Sequence, residues 1–356
     1  MSNTITNILI SWYLKYKRDL PWRDTRDPYK IWISEIILQQ TRVSQGISYY
    51  YRFLESFPDI KTLAGAKEED VLKNWQGLGY YSRARNLHAT ARLLSAKYNN
   101  SFPENFDEIK ALKGIGDYTA AAIGSFAFGI RYPVLDGNVF RFITRYFGID
   151  TPIHMSETRK NILNILHEMM SEVKDPALFN QALMEFGALQ CVPKNPACDV
   201  CPLRTGCHAL GHSMVDKLPV KQKAAPLKKR YLHYFILNYR NACFYMQRRH
   251  ARDIWQGLHE FPLIETAKPV SFSRLQSMAL KEPWGASLGE LQCEVSDEII
   301  HKLSHQELHV RFYTSMLKKR LKIKNSVIFE VKTADLENYA IPRVIDRFLI
   351  QQGYFN

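Results

Sequence analysis

Up to about residue 190 the apolar positions recur at helical spacing, with polar breaks between them. Asp27-Pro28 reads as a helix start, aspartate as N-cap and proline in the first turn. No glycine or proline follows from Tyr29 to about Gln45, which predicts one uninterrupted helix. The chain turns at Gly77–Tyr80, and Tyr81–Lys97 is expected as a basic helix carrying Arg83, Arg85, Arg92 and Lys97. Phe106–Leu112 and Tyr118–Phe128 read as two helices joined by Lys113-Gly114-Ile115-Gly116-Asp117. Val139–Phe147, Glu157–Glu172 and Pro176–Leu189 complete the series. No alternating strand pattern of useful length precedes residue 230, so residues 1–210 are expected to form an all-α domain.

Beyond that point the period changes. Tyr231–Asn238 and Cys243–Arg248 suit two aromatic-rich strands around an Arg240-Asn241 turn. His309–Leu317 reads as a further strand and Pro342–Gln351 as a helix, which makes 231–356 a smaller α/β domain. Between the two, 211–230 carries Lys217, Lys221, Lys223, Lys228, Lys229 and Arg230 against Asp216 alone, with Pro219 and Pro226, and reads as an extended basic linker.

Composition and charge narrow the class. The chain has 356 residues, enough for two or three domains with full cores, and a formal net charge of +13. That surplus suits either solubility by self-repulsion or a polyanionic partner. The longest apolar stretch, Ala120–Ile130, falls short of the ~18–20 residues of a membrane span, so no membrane partner is expected. Met1–Leu20 lacks the charged and apolar blocks of a secretion signal. Four of six cysteines fall in Cys191-x6-Cys198-x2-Cys201-x5-Cys207, a density that reads as a metal site in a reducing compartment. Four thiolates suit either zinc or an iron–sulfur cluster.

Two carboxylates stand apart. Glu35 sits in Ile31–Leu38, where six of eight residues are apolar. Burial there would favour the neutral acid and fit it for proton donation, whereas a surface glutamate would do neither. Asp136, just ahead of a helix, is placed to accept N–H bonds that keep it ionised, or to be a plain N-cap. Two carboxyls pushed apart in this way suit glycosidic cleavage. The Gly114-x-Gly116 turn would let a phosphate approach backbone N–H groups, unless it is only a helix cap.

Several segments resemble one family. The cysteine spacing at the end of a helical domain is similar to that of the endonuclease III superfamily of helix-hairpin-helix DNA glycosylases. Leu20-Pro21-Trp22-Arg23, Ser34-Glu35 through Gln40-Thr41, Gly77-Leu78-Gly79-Tyr80-Tyr81, Leu135-Asp136-Gly137-Asn138-Val139 and Phe179–Leu183 resemble the adenine DNA glycosylases of the MutY type. The match covers residues ~5–210.

The resemblance implies a [4Fe–4S] cluster on Cys191, Cys198, Cys201 and Cys207. It makes Glu35 the acid that protonates the leaving adenine, and Asp136 the group that stabilises the cationic sugar. Tyr118 and Asn138 would orient that carboxylate and the reacting water. Trp22, Arg23 and Gln181 would line the adenine pocket, Gln40 and Tyr80 would fill the base stack, and Gly114 and Gly116 would hold a phosphate. Tyr118 stands where bifunctional relatives carry a lysine, so a monofunctional enzyme leaving an abasic site is expected. The C-terminal domain is expected to be Nudix-like, with Trp255–Pro262 fixing its register and Leu303-Ser304-His305, after His301, reading 8-oxoguanine. Leucine replaces an aromatic residue of the family there. No Nudix catalytic box occurs. The implied partner is duplex DNA with adenine opposite 8-oxoguanine or guanine, and the implied setting is a monomer on the nucleoid in the cytoplasm. The rivals are a bifunctional endonuclease III-like enzyme, a non-catalytic iron–sulfur DNA-binding protein, and a Nudix hydrolase with a DNA-targeting module.

Overall fold

The structure, a computed structural model, describes residues 2–220, 226–285, 293–321 and 327–355. It divides into two compact units, one of Met1–Gly65 with Asn86–Lys223, the other of Ala66–Arg85 with Ala224–Asn356. Among the described residues no helix is long and apolar enough to cross a membrane.

The helices up to residue 211 are α1 (Ser2–Tyr16), α2 (Pro28–Leu38), α3 (Val43–Ser56), α4 (Ile60–Gly65), α5 (Glu68–Asn74) and α6 (Ser82–Lys97). They continue with α7 (Phe106–Lys110), α8 (Asp117–Phe128), α9 (Gly137–Phe147), α10 (Ser156–Met170), α11 (Pro176–Leu189) and α12 (His208–Gly211). Leu9 and Tyr13 of α1, Phe140 and Ile143 of α9, Leu166 of α10, and Phe179, Leu183 and Phe186 of α11 close one core of the first unit. Each repeats at three- or four-residue spacing, the apolar stripe that buries one face of a helix.

Asp27 caps α2 as expected, accepting from the Tyr29 N–H at 2.9 Å. The helix does not run on to Gln45. It stops at Leu38, Gln40 adopts a left-handed backbone with φ of 61°, and the chain restarts at Val43. The cause is tertiary. A Cβ at Gly46 would lie 2.9 Å from the Leu38 side chain, so α3 crosses close over the end of α2. A straight helix would carry Tyr50 and Phe53, both buried, away from the core.

Two further expectations narrow. Arg83 is buried and donates to the Leu78 and Gly79 carbonyls, while Arg85 donates to the Gln256 carbonyl. Those two cations of the basic helix are therefore used within the protein. The segment expected as a linker is also shorter. Leu218 is buried with its carbonyl accepting from Arg145 Nε at 3.0 Å, and Lys228–Arg230 already lie in a strand. Lys221 and Lys223 lie outside the described residues.

The second unit is built on a sheet of β1 (Lys228–Tyr239), β2 (Cys243–Arg248), β3 (His259–Glu260), β4 (Leu263–Thr266), β5 (Glu294–Val295), β6 (Ile299–Lys302), β7 (Gln306–Leu317) and β8 (Ile328–Lys332). Its spine reads β3-β2-β1-β7-β5, with β4 beside β1, β6 beside β7 and β8 beside β2. β1 and β7 run parallel in register from Lys228↔Gln306 to Tyr239↔Leu317. Both faces are covered. Leu232, Tyr234 and Ile236 pack with α14 (Arg343–Gln351), and Phe235 and Leu237 pack with α13 (Phe272–Ala279). Burial on both faces explains why β1 reads as a continuous apolar run rather than an alternation. The turn at Arg240-Asn241 is as expected, both residues taking positive φ.

Candidate active site

A cavity of about 420 Å³ opens in the first unit, within the range of small-ligand sites. Its wall gathers Trp22, Arg23, Glu35, Gln40, Tyr118, Asp136, Asn138 and Gln181, residues from five separate stretches of the chain.

Glu35 lies mid-way along α2 and only 5% of it is exposed. The Tyr118 hydroxyl, from the first turn of α8, donates to Glu35 Oε2 at 2.6 Å. Burial pushes the Glu35 carboxyl up to about 7, the Tyr118 bond opposes this, and the charge of Asp136 adds to it. The neutral acid is therefore favoured far more than in an exposed glutamate, and the Tyr118 bond to Oε2 leaves the other oxygen to carry the proton.

Asp136 caps α9. Its Oδ1 accepts from the Asn138 and Val139 N–H groups at 2.9 and 2.8 Å, and its Oδ2 from Asn138 Nδ2 at 2.7 Å. These bonds are the ones expected, and they favour the carboxylate. Burial nevertheless outweighs them, so the Asp136 carboxyl is raised rather than held low. Arg141 fixes the other end of Asn138. It donates to Asn138 Oδ1 at 2.9 Å, to the Gly187 carbonyl at 2.5 Å and to the Cys191 carbonyl at 2.7 Å.

The far wall is organised by a residue not singled out from sequence. Glu185, one turn beyond Gln181 on α11, is buried between two arginines. It pairs with Arg18 NH2 and Arg23 NH2, each at 2.6 Å. Burial alone would raise its carboxyl, but the hydrogen bonds from Arg18 and Arg23 together bring it down to about 2. Arg23 is thereby locked against the pocket, and Tyr13 holds Gln181 through a 2.7 Å bond to Oε1. Trp22 meets Tyr50 edge to face at 5.4 Å. The four-residue spacing of Gln181 and Glu185 was the available signal for a shared wall.

Cys191, Cys198, Cys201 and Cys207 line a second, small cavity walled by Phe142, Phe186 and Leu203. Two single 3₁₀ turns, Cys198–Val200 and Arg204–Gly206, set the loop. Arg145 NH1 donates to Cys191 Sγ at 3.5 Å. Burial raises the thiols of Cys191, Cys198 and Cys201, the last to about 11. Among the described residues no three His, Cys, Asp or Glu groups converge as ligands of a single metal ion. The four thiols nevertheless share one apolar-walled space, and soft sulfur ligands of that kind suit zinc or an iron–sulfur cluster.

Gly114, with φ of 80°, and Gly116 are exposed at the turn between α7 and α8, and Gly116, the N-cap of α8, has no side chain with which to cap it. In the second unit Tyr80, with φ of 48°, hydrogen-bonds through its hydroxyl to Ser304 Oγ. Gln40 and Tyr80 thus share a left-handed backbone that costs a non-glycine residue about 1–2 kcal/mol, strain of the kind that collects at functional sites. Ser304 and His305 are exposed at the β6–β7 turn, while Leu303 packs against the sheet's core.

A helical unit with a hairpin-joined helix pair, and a cavity in which Glu35 faces Asp136 with Glu185 on the far wall, defines a class. Residues 33–168 match the HhH-GPD superfamily base excision DNA repair protein model, and residues 233–351 match a NUDIX domain. The fold is that of the endonuclease III group. A thermostable thymine-DNA glycosylase aligns with TM-score 0.54 and 28% identity over 59% of this chain and 97% of its own. A non-covalent endonuclease III–DNA complex aligns with TM-score 0.50 and 21% identity over 60% and 98%.

Within that class the chain belongs to the adenine DNA glycosylase family. The adenine DNA glycosylase of Buchnera aphidicola subsp. Acyrthosiphon pisum is 35% identical over 306 residues, 86% of this chain and 84% of the relative. The Homo sapiens adenine DNA glycosylase is 38% identical over 210 residues, 56% of this chain and 38% of the relative.

Proposed function

We propose that this protein hydrolyses the N-glycosidic bond of adenine opposite 8-oxoguanine or guanine in duplex DNA, acting as a monomer and leaving an abasic site. The observation that carries the reading is the pairing of Glu35 and Asp136 in one cavity, the first poised to give a proton, the second held by three hydrogen bonds at a helix N-terminus.

Adenine stacked in a duplex is out of reach, so it must be extruded into the cavity, with Gln40 and Tyr80 filling the gap. Trp22, Arg23 and Gln181 hold the base. Glu35 transfers its proton to the base, which makes adenine a neutral leaving group and leaves a carboxylate behind. As the C1′–N bond breaks, positive charge gathers on the sugar. The Asp136 carboxylate stabilises it from the N-terminus of α9. Water then adds at C1′ and passes its proton to the carboxylate that Glu35 has become, which restores the acid. Tyr118 has no amine to form a Schiff base, so the reaction stops at the abasic site.

The four cysteines fit a [4Fe–4S] cluster, held by thiolates from Cys191, Cys198, Cys201 and Cys207 against Phe142, Phe186 and Leu203. When bound, such a cluster would cross-link residues 191–207.

Adenine is an ordinary base, so discrimination must come from the base opposite it. Ser304 and His305, exposed at a turn and joined to Tyr80 through Ser304, supply donors and acceptors for 8-oxoguanine. Comparing single-turnover excision of adenine opposite 8-oxoguanine, guanine and thymine tests the assignment. The wild type should prefer 8-oxoguanine, and Ser304→Ala with His305→Ala should lose that preference while still acting opposite guanine. Equal preference in variant and wild type would move the reading of 8-oxoguanine elsewhere.

A further inference from the structure

Helix α6 meets the hairpin turn through two side chains one helical turn apart. Thr90, fully buried, donates its hydroxyl to the Lys113 carbonyl at 2.8 Å. Next to it, Asn86 lies directly under Gly114, where a Cβ would come 2.7 Å from the Asn86 Cβ and 3.0 Å from its amide nitrogen. The turn is pinned on its other side as well. The Ile115 N–H donates to the Leu112 carbonyl at 3.1 Å, and Lys110 pairs with Asp117 at 2.6 Å across it. The exposed Lys113 and Gly114, and the glycine-capped start of α8, therefore sit at a height fixed from below by α6.

We propose that Thr90 and Asn86 are positioning residues for DNA, setting the turn at 113–116 so that the Gly114 and Gly116 N–H groups and those of the first turn of α8 meet one phosphate together. Neither side chain lines the cavity that holds Glu35 and Asp136. Their contribution falls on the affinity for DNA and not on bond cleavage. A hairpin allowed to sink or tilt would lose the convergence of its donors, since hydrogen bonds to a charged acceptor weaken steeply off axis. The proposal rests on the reading of Gly114 and Gly116 as a phosphate site.

The full-length protein tests it. Dissociation constants for a short undamaged duplex are measured beside the single-turnover excision rate at saturating adenine:8-oxoguanine duplex. Thr90→Val keeps the side chain's shape and removes the donor. It should weaken binding about tenfold at an unchanged saturating rate, and Thr90→Ser should restore wild-type binding. Asn86→Ala should weaken binding about threefold, and it carries the test if Thr90→Val does not fold. A folded Thr90→Val, or in its place Asn86→Ala, that binds as wild type overturns the proposal, as does a loss confined to the saturating rate. Gly114→Ala separates the two claims. If it alone weakens binding, the role of α6 falls and the phosphate site stands; if neither it nor the α6 variants change binding, the phosphate site falls.

Discussion

Replacing Glu35 with glutamine separates what the carboxyl does in catalysis from what its burial costs the fold. Raising that carboxyl from 4.5 to about 7 is worth about 3 kcal/mol between its two protonation states. The sign follows from the direction. The folded protein binds the proton more tightly than the unfolded chain, so the stabilisation is complete below about pH 4.5 and is lost as pH rises through about 7. Above that, a charged carboxylate sits in an apolar helix. Glutamine keeps an oxygen for the Tyr118 hydroxyl and carries no charge. Urea unfolding should therefore show Glu35→Gln and the wild type equal near pH 4.5, and the variant more stable by up to about 3 kcal/mol near pH 8.5. In single-turnover assays the same variant should lose about 10²–10⁴-fold in adenine excision. The wild-type rate should fall on the alkaline side with a midpoint near 7. A stability difference that does not change with pH would refute the burial argument. Near-normal excision would refute the acid assignment.

Three further outcomes follow from the same geometry. Tyr118→Phe removes a bond that holds the Glu35 carboxyl down, so the alkaline limb of the pH–rate profile should move to higher pH while the maximal rate falls about tenfold. Glu185→Gln leaves Arg18 and Arg23 without their buried anion and should cost about 3–5 kcal/mol at neutral pH. Because the Glu185 carboxyl is lowered from 4.5 to about 2, the wild type should lose this stabilisation as pH falls through that window, whereas the variant should not. Cys201→Ser should reduce iron and acid-labile sulfide in the purified protein and its resistance to heating, and unchanged iron content would place the cluster elsewhere.

What was legible in the sequence was what is local. Asp27-Pro28 and Asp136 announce helix starts because a cap is decided by the two or three residues after it. Glu35 stands out because its burial follows from its immediate neighbours on α2. The end of α2 was not legible. It is set by the close crossing at Gly46, and nothing in the residues around Gln40 forbids another helical turn. Glu185 was missed for the same reason, since its partners Arg18 and Arg23 lie more than 160 residues away in the chain. The parallel pairing of β1 with β7 is likewise a long-range choice. Charge misled in the other direction. Arg83 and Arg85 look like a solvated basic face, yet both are committed to backbone carbonyls.

That commitment takes Arg83 and Arg85 out of the polyanion contacts expected of α6. Binding to duplex DNA should still weaken steeply with salt, because neutralised phosphates release counterions whichever cations do the work.

The central claim is that two carboxylates in one cavity remove adenine by hydrolysis, and product analysis tests it most directly. The full-length protein is incubated with a duplex carrying adenine opposite 8-oxoguanine, free bases are separated, and the strand is examined before and after alkali, with borohydride present in a parallel sample. Free adenine in step with an abasic site, a strand that breaks only after alkali, and no protein trapped on the DNA are the predicted results. No free adenine, or a covalent adduct trapped by borohydride, would contradict the account.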